Sequence, residues 1–212
     1  AIKIAAVNGL GRLSVVENIR PDLRLDMAES MIKELNRSDI HPWYQARLAA
    51  ALGQIDRIYD RSLGKKPFIL TELLKLVVDP KRDWLVRAEA ARSLGSAPID
   101  RDINVPLIAY EIAKLASQMA EAQRNSPKEY YWKEAFLKVY LSFQPADARE
   151  KSRKVGLLNK SALKLMDTAH DGTVDSAYKQ ILPLVVLIAN IEAPTPLPKE
   201  RVDALAKWVK DN

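Results

Sequence analysis

The 212-residue chain has no cysteine. That excludes a disulfide framework, a thiolate metal site and a cysteine nucleophile. It assigns no compartment, because cysteine-free proteins occur on both sides of a membrane. Histidine is nearly absent too, with only His41 and His170, which is a poor basis for a zinc site or an imidazole-centred triad. Aromatic residues make up 7% and glycines number 7, while alanine and leucine dominate; that balance favours helix over strand. No apolar run reaches the roughly 18 residues of a membrane span. The longest candidate, 181–191, is interrupted by Pro183 and Asn190. There is no visible signal peptide, phosphate-cradling glycine loop, nucleophile elbow or paired-carboxylate motif. No cofactor, metal or catalytic residue is expected.

What is present is a composition that folds. Hydrophobic residues reach 48% and charged residues 28%, enough for a packed core and unlike a disordered chain. The net charge of +6 admits nucleic acid or an anionic membrane as partners, and is equally ordinary for a helical protein.

The dominant pattern is a repeat. Residues 2–11 (IKIAAVNGLG), 44–53 (YQARLAAALG) and 85–95 (LVRAEAARSLG) close on Gly11, Gly53 and Gly95, two steps of 42. One residue before each glycine stands Leu10, Leu52 or Leu94. Four before stands Val7, Ala49 or Ala91, and seven before stands Ile4, Ala46 or Ala88. Steps of three and four put these on one helix face, and small residues there let a neighbouring helix approach closely. The glycines are expected to supply left-handed stops.

A second kind of helix lies between the copies. Residues 23–36 carry Leu25, Ala28, Met31, Ile32 and Leu35, and residues 68–79 carry Ile69, Leu73, Leu76 and Val77. Asp79-Pro80 breaks the chain before Asp83 caps the third copy. The unit is thus helix A, turn, helix B. Another A helix is expected over 105–123, with Asn104 as cap and Pro106 in its first turn. Its B partner over 128–143 is bulkier, with Tyr130, Tyr131, Trp132, Phe136 and Tyr140. Further helices are expected over 147–170, bent near Gly156, and from Thr173 or Asp175 to 191, kinked at Pro183. After the connector APTPLP, a capping helix over 199–210 should turn Val202, Leu205, Ala206 and Val209 inward. The first copy is already a B helix, so its A partner is expected upstream of Ala1, and the chain is read as a portion of a longer array.

The segment 68–95 resembles a HEAT-like repeat: Asp79-Pro80 in the turn, then Val86-Arg87, Ala90-Ala91 and Leu94 on helix B. Copy one has Ile2-Lys3 and copy two Tyr44-Gln45 where the third has Val86-Arg87, and the likeness fades beyond residue 125. The resemblance implies an all-α, right-handed α-α superhelix of about five helical hairpins. It would be a single solenoid over 1–212, with regular repeats to 125, divergent hairpins over 126–193 and a terminal cap. It further implies a scaffold that presents a curved surface to protein partners.

Function is most open in two features. Trp43, Trp84 and Trp132 each sit near the start of a B helix, where they form either an aromatic row for a partner or turn packing. Residues 149–164 carry six basic residues, including Arg149, Lys151, Arg153, Lys154 and Lys160, against one acid. They either track phosphates or form the solvated face of a helix whose buried side is Val155, Leu158, Ala162 and Leu165. A second basic stretch, Arg57, Arg61, Lys65 and Lys66, is diluted by Asp56 and Asp60. His170 with its flanking aspartates lacks the alternating oxygens of a calcium loop and reads as a helix end. The expectation is a non-enzymatic protein-interaction scaffold. The alternatives are a nucleic-acid-binding module using 149–164, and a repeat-scaffold enzyme acting on DNA or a pigment through Asp83 and Trp84 or Trp132 and Glu134. A cytoplasmic location is favoured, with an exported or envelope one left open should a signal or anchor precede Ala1.

Overall fold

A computed structural model describes residues 6–7, 9, 20–37, 39–55, 59, 66–99, 102–129, 131–144, 156–158, 172–191 and 194–212. Among the described residues there are eight helices and no strand. The protein is all-α. It divides into two compact units, Ala1–Asp100 and Arg101–Asn212.

The first unit holds α1 (Pro21–Leu35), α2 (Pro42–Leu52), α3 (Phe68–Val78) and α4 (Trp84–Ser96). Most of the expected inward faces are buried: Leu25, Ala28, Met31 and Leu35 on α1, where Ile32 is only half-buried, and Ile69, Leu73, Leu76 and Val77 on α3. α4 is the centre, because α2 packs on one side of it and α3 on another. Flanked in this way, it buries every residue from Val86 to Gly95 except Arg92. Such a helix cannot show a clean apolar stripe, and its alanines let two neighbours close on it. α2 and α4 are the second and third repeat copies, so the 42-residue period corresponds to direct helix-on-helix stacking within this unit.

Two helix starts of this unit are capped by side chains, Asp83 as expected and His41 in addition, while α1 and α3 have no side-chain cap. The Asp83 carboxylate accepts from the Leu85 amide at 2.8 Å, and His41 Nδ1 accepts from the Trp43 amide at 3.1 Å. Each satisfies a donor that a first helical turn leaves unpaired. The stops do not follow expectation. Gly53 has φ −67° and ψ −11°, ordinary right-handed backbone, and Gly95 lies inside α4, which ends at Ser96 before Ala97-Pro98. Gly11 lies outside the described residues. Space is what Gly53 provides: a Cβ there would come within 2.6 Å of Ser93 Cβ and 2.8 Å of Ser93 Cα. The repeated glycine at the end of α2 is therefore a helix-contact residue. The one left-handed glycine among the described residues is Gly172 (φ 74°), which precedes α7.

The second unit holds α5 (Val105–Asn125), α6 (Trp132–Phe143), α7 (Thr173–Asn190) and α8 (Lys199–Asp211). Asn104 caps α5 through the Leu107 amide at 3.0 Å. α7 packs on α5 and α6 and continues as helix through Pro183. Gly156 meets the end of α6, its amide donating to the Gln144 carbonyl at 3.1 Å. Leu157 is the residue buried there and Leu158 only half-buried, the reverse of the expected face. Most of the helix expected over 147–170 lies outside the described residues.

α8 packs against α5 and α7. Val202 and Leu205 are buried as expected, but Ala206 is exposed and Trp208 is turned in instead. The indole of Trp208 donates to Ser176 Oγ at 2.7 Å and lies 6.3 Å from the Tyr110 ring. The Tyr110 hydroxyl donates to the Val209 carbonyl at 3.2 Å. The proline-rich connector is held by buried Gln123 on α5, whose Nε2 donates to Thr195 O and whose Oε1 accepts from Leu197 N, both at 2.8 Å. Gln123→Ala leaves the buried Leu197 amide without its acceptor, and is expected to destabilise this unit by about 2 kcal/mol. Amide exchange in α8 should accelerate more than in α6; equal effects in both helices would show that Gln123 does not hold α8.

Candidate functional site

Short A-to-B turns join α1 to α2 and α3 to α4, so each pair is antiparallel. The Gly53–Ser93 approach puts the C-terminal ends of α2 and α4 side by side, so these two helices run parallel. Their first turns therefore share one edge of the unit, and Trp43 and Trp84 stand on it.

Trp43 is the more open of the two, 53% exposed, with the Arg47 guanidinium 5.3 Å from its ring centroid. Trp84 is half-buried, with the Arg87 guanidinium 4.9 Å from its ring. Spacings of four and three residues place each cation beside its indole on the helix surface. Arg47 and Arg87 were not singled out from sequence as ring partners, although that spacing was the available signal.

Arg87 is 2% exposed. Its Nε donates at 2.9 Å to the carbonyl of Val77, in the last turn of α3, where helix carbonyls have no partner of their own. Burial lowers its pKa and the Asp79 charge partly restores it, but an arginine stays protonated at any relevant pH. The residue 42 positions earlier, Gln45, is also buried; this position of the repeat thus faces the interior and carries a polar side chain in both copies.

The carboxylates of this edge are occupied. Asp39 receives Arg37 Nε at 3.0 Å and Nη2 at 2.7 Å. Asp79 Oδ1 accepts from the Lys81 amide at 2.9 Å, and Oδ2 from Arg82 Nε at 3.3 Å. Asp83 caps α4. The Lys81 amide, followed by Arg82, holds the Asp79 carboxyl below its ordinary pKa. A depressed folded-state pKa adds stability above the unfolded value near 4 that is lost as pH falls through the folded one. The stability advantage of the native chain over Asp79→Asn is therefore expected to shrink between pH 5 and pH 3 in parallel urea titrations; a pH-independent difference would show that the charge contributes nothing.

Two cations on the edge lack this accommodation. Among the described residues Arg47 forms no ion pair, and its recorded contact is the Trp43 ring. Lys81 is exposed and its side chain forms no ion pair there either; its backbone amide bonds Asp79, while its charge acts on that carboxylate through space.

The other sequence candidates lie elsewhere. Trp132 belongs to the second unit and is 3% exposed. Its indole donates to the Ser126 carbonyl at 2.8 Å and packs on Tyr131 with centroids 4.8 Å apart, so it is part of the core. Arg149, Lys151, Arg153, Lys154 and Lys160 lie outside the described residues, as does His170. Of the acids paired with tryptophans, Asp83 is a helix cap and exposed Glu134 bonds Lys138 at 2.9 Å. His41 is likewise a cap. Among the described residues no group of three or more His, Asp or Glu could hold a metal ion, and no helix is long and apolar enough to cross a membrane.

Comparison with protein-family models, curated proteins and solved structures found no match.

Proposed function

We propose that the chain is a non-enzymatic interaction scaffold of the HEAT-like kind, a right-handed superhelix of helical hairpins presenting its surface to a protein partner. The observation that carries this reading is the parallel packing of α2 on α4 in the 42-residue register, which leaves Trp43 exposed at the edge both helices share. Helical repeats bury their own faces by stacking and leave one side or edge for recognition. Trp43 stands half in water with the Arg47 guanidinium beside its ring, and tryptophan is enriched at binding hot spots. The nucleic-acid alternative rests on the basic residues of 149–164, which lie outside the described residues.

The test is a photo-crosslinking scan. A benzophenone amino acid is placed in turn at the exposed apolar positions Leu23, Trp43, Val78, Leu107, Leu137 and Val186. Discrete protein adducts are expected from at least one position, with the trapped protein binding the purified chain in isolation. Adducts to nucleic acid alone, or none at any position, would overturn the scaffold reading.

A further inference from the structure

One helix of the second unit is held differently from the rest. We infer that α8, with residues 194–198 leading into it, is a strap: it releases from α5 and α7 in one step while those helices stay packed. The inference goes beyond the scaffold reading and does not depend on it.

The strap is held at its two ends. At its start, Gln123 bonds Thr195 and Leu197, both at 2.8 Å, and Arg124 donates to the Leu197 carbonyl. At its far end, the Tyr110 hydroxyl donates to the Val209 carbonyl at 3.2 Å, and the Trp208 indole donates to Ser176 Oγ at 2.7 Å. Gln123 and Arg124 stand in the last turn of α5, and Tyr110 stands near its beginning. So α8 runs antiparallel to α5, with a polar clasp at each end.

Between the clasps the grip is slight. On α8 only Val202 and Leu205 are buried, two of 13 residues, against six of 12 on α6 and ten of 21 on α5. Helical steps of three and four from Tyr110 to Arg124 fall on Ala113, Ser117 and Ala120. Such small side chains permit a close approach but supply little surface to bury. A segment with few buried apolar contacts opens at a lower free energy than the unit around it. A helix as short as α8 is also marginal in water by itself, so away from α5 and α7 it loses its structure as a whole. Both clasps then oppose the same event, and removing either one should favour release of the entire helix. Release would uncover the faces of α5 and α7 on which α8 packs.

The chain has no cysteine, so one introduced thiol can report opening. Val202→Cys puts the thiol on the buried side of α8, and Val139→Cys puts it in the core of α6; both positions are closed to solvent. Labelling by an aromatic disulfide is timed in buffer and normalised to the rate of the same variant in concentrated urea. The thiol at 202 is expected to react at least tenfold faster than the one at 139. Tyr110→Phe, which removes only a hydroxyl, should speed labelling at 202 by about fivefold and leave 139 unchanged, and Gln123→Ala should do the same at the other clasp. Equal normalised rates at 202 and 139 would overturn the inference, because α8 would then open only with its unit. No effect of Tyr110→Phe at 202 would overturn it too, because the far clasp would then resist only fraying of the last turn. Amide exchange of the native chain makes the comparison without an added thiol. The α8 amides are expected to share one level of protection, at least tenfold below that of α6; protection that declines steadily toward Asp211 would reject the strap.

Discussion

Replacing Arg87 with alanine is expected to destabilise the first unit by about 3 kcal/mol, a drop of roughly 10–20 °C in its melting temperature for a unit of this size. Three losses combine. The side chain is among the largest fully buried ones, so truncation leaves a cavity beside α3 and α4. The Val77 carbonyl loses a charged donor at 2.9 Å and becomes an unpaired acceptor shielded from water. The contact with Trp84 also goes, since the guanidinium lies 4.9 Å from that ring. Arg87→Met separates these contributions: it fills most of the volume but donates nothing, and should cost about half as much. The test is urea unfolding of both variants followed by circular dichroism. An alanine variant within about 0.5 kcal/mol of native would show that Arg87 is not what joins α4 to the end of α3. Lysine in its place is not conservative, because the bonding atom is Nε in the stem of the guanidinium and lysine has no donor there.

Gly53→Ala should be destabilising by about 2 kcal/mol, and the sign of the effect is as informative as its size. Gly53 has right-handed backbone angles, so alanine faces no conformational penalty there and on backbone grounds should stabilise by about 0.4–1 kcal/mol. The opposing effect is steric: the added Cβ would lie 2.6 Å from Ser93 Cβ and 2.8 Å from both Ser93 Cα and Oγ. Part of that obstruction is backbone, which cannot turn away, so α2 and α4 must separate along their contact. Ser93→Gly removes two of the three clashing atoms and should recover part of the loss in the double variant, giving a coupling energy of about 1 kcal/mol in a double-mutant cycle. A stabilised Gly53→Ala would mean that the helices can part without cost and that the close approach is incidental. Gly172 is the contrast: its φ of 74° is disfavoured for side chains, yet a Cβ there would meet nothing within 4 Å.

Much of the helical layout is legible in the sequence because it depends on near neighbours. Apolar residues three and four apart mark α1 and α3, and the Asn104-Val-Pro and Asp83-Trp starts mark α5 and α4, since a cap is an interaction within one turn. The 42-residue register of Leu52 and Leu94 falls on two helices, α2 and α4, that pack on each other. The same reasoning misread the glycines. A glycine at a helix end has two common uses, a left-handed stop and a close approach, and local sequence contains nothing to separate them. At Gly53 the decision belongs to Ser93, forty residues away.

Local pattern is enough to make this an all-α protein, to place the starts of most of its helices and to mark most of the inward-facing residues of α1 and α3. Those are consequences of periodicity and of backbone groups that must find partners close by in the chain. What the distinctive residues do depends on how the helices pack. Arg87 and Gln45 could be read as surface polar residues, yet helix packing buries both. Trp132 and Trp43 occupy similar places near helix starts, yet one is sealed in the core and the other faces water. Whether Arg47 finds an ion-pair partner likewise depends on which acids the fold brings near it. Burial and charge balance are sums over neighbours drawn from distant parts of the chain, and a linear pattern does not contain those sums.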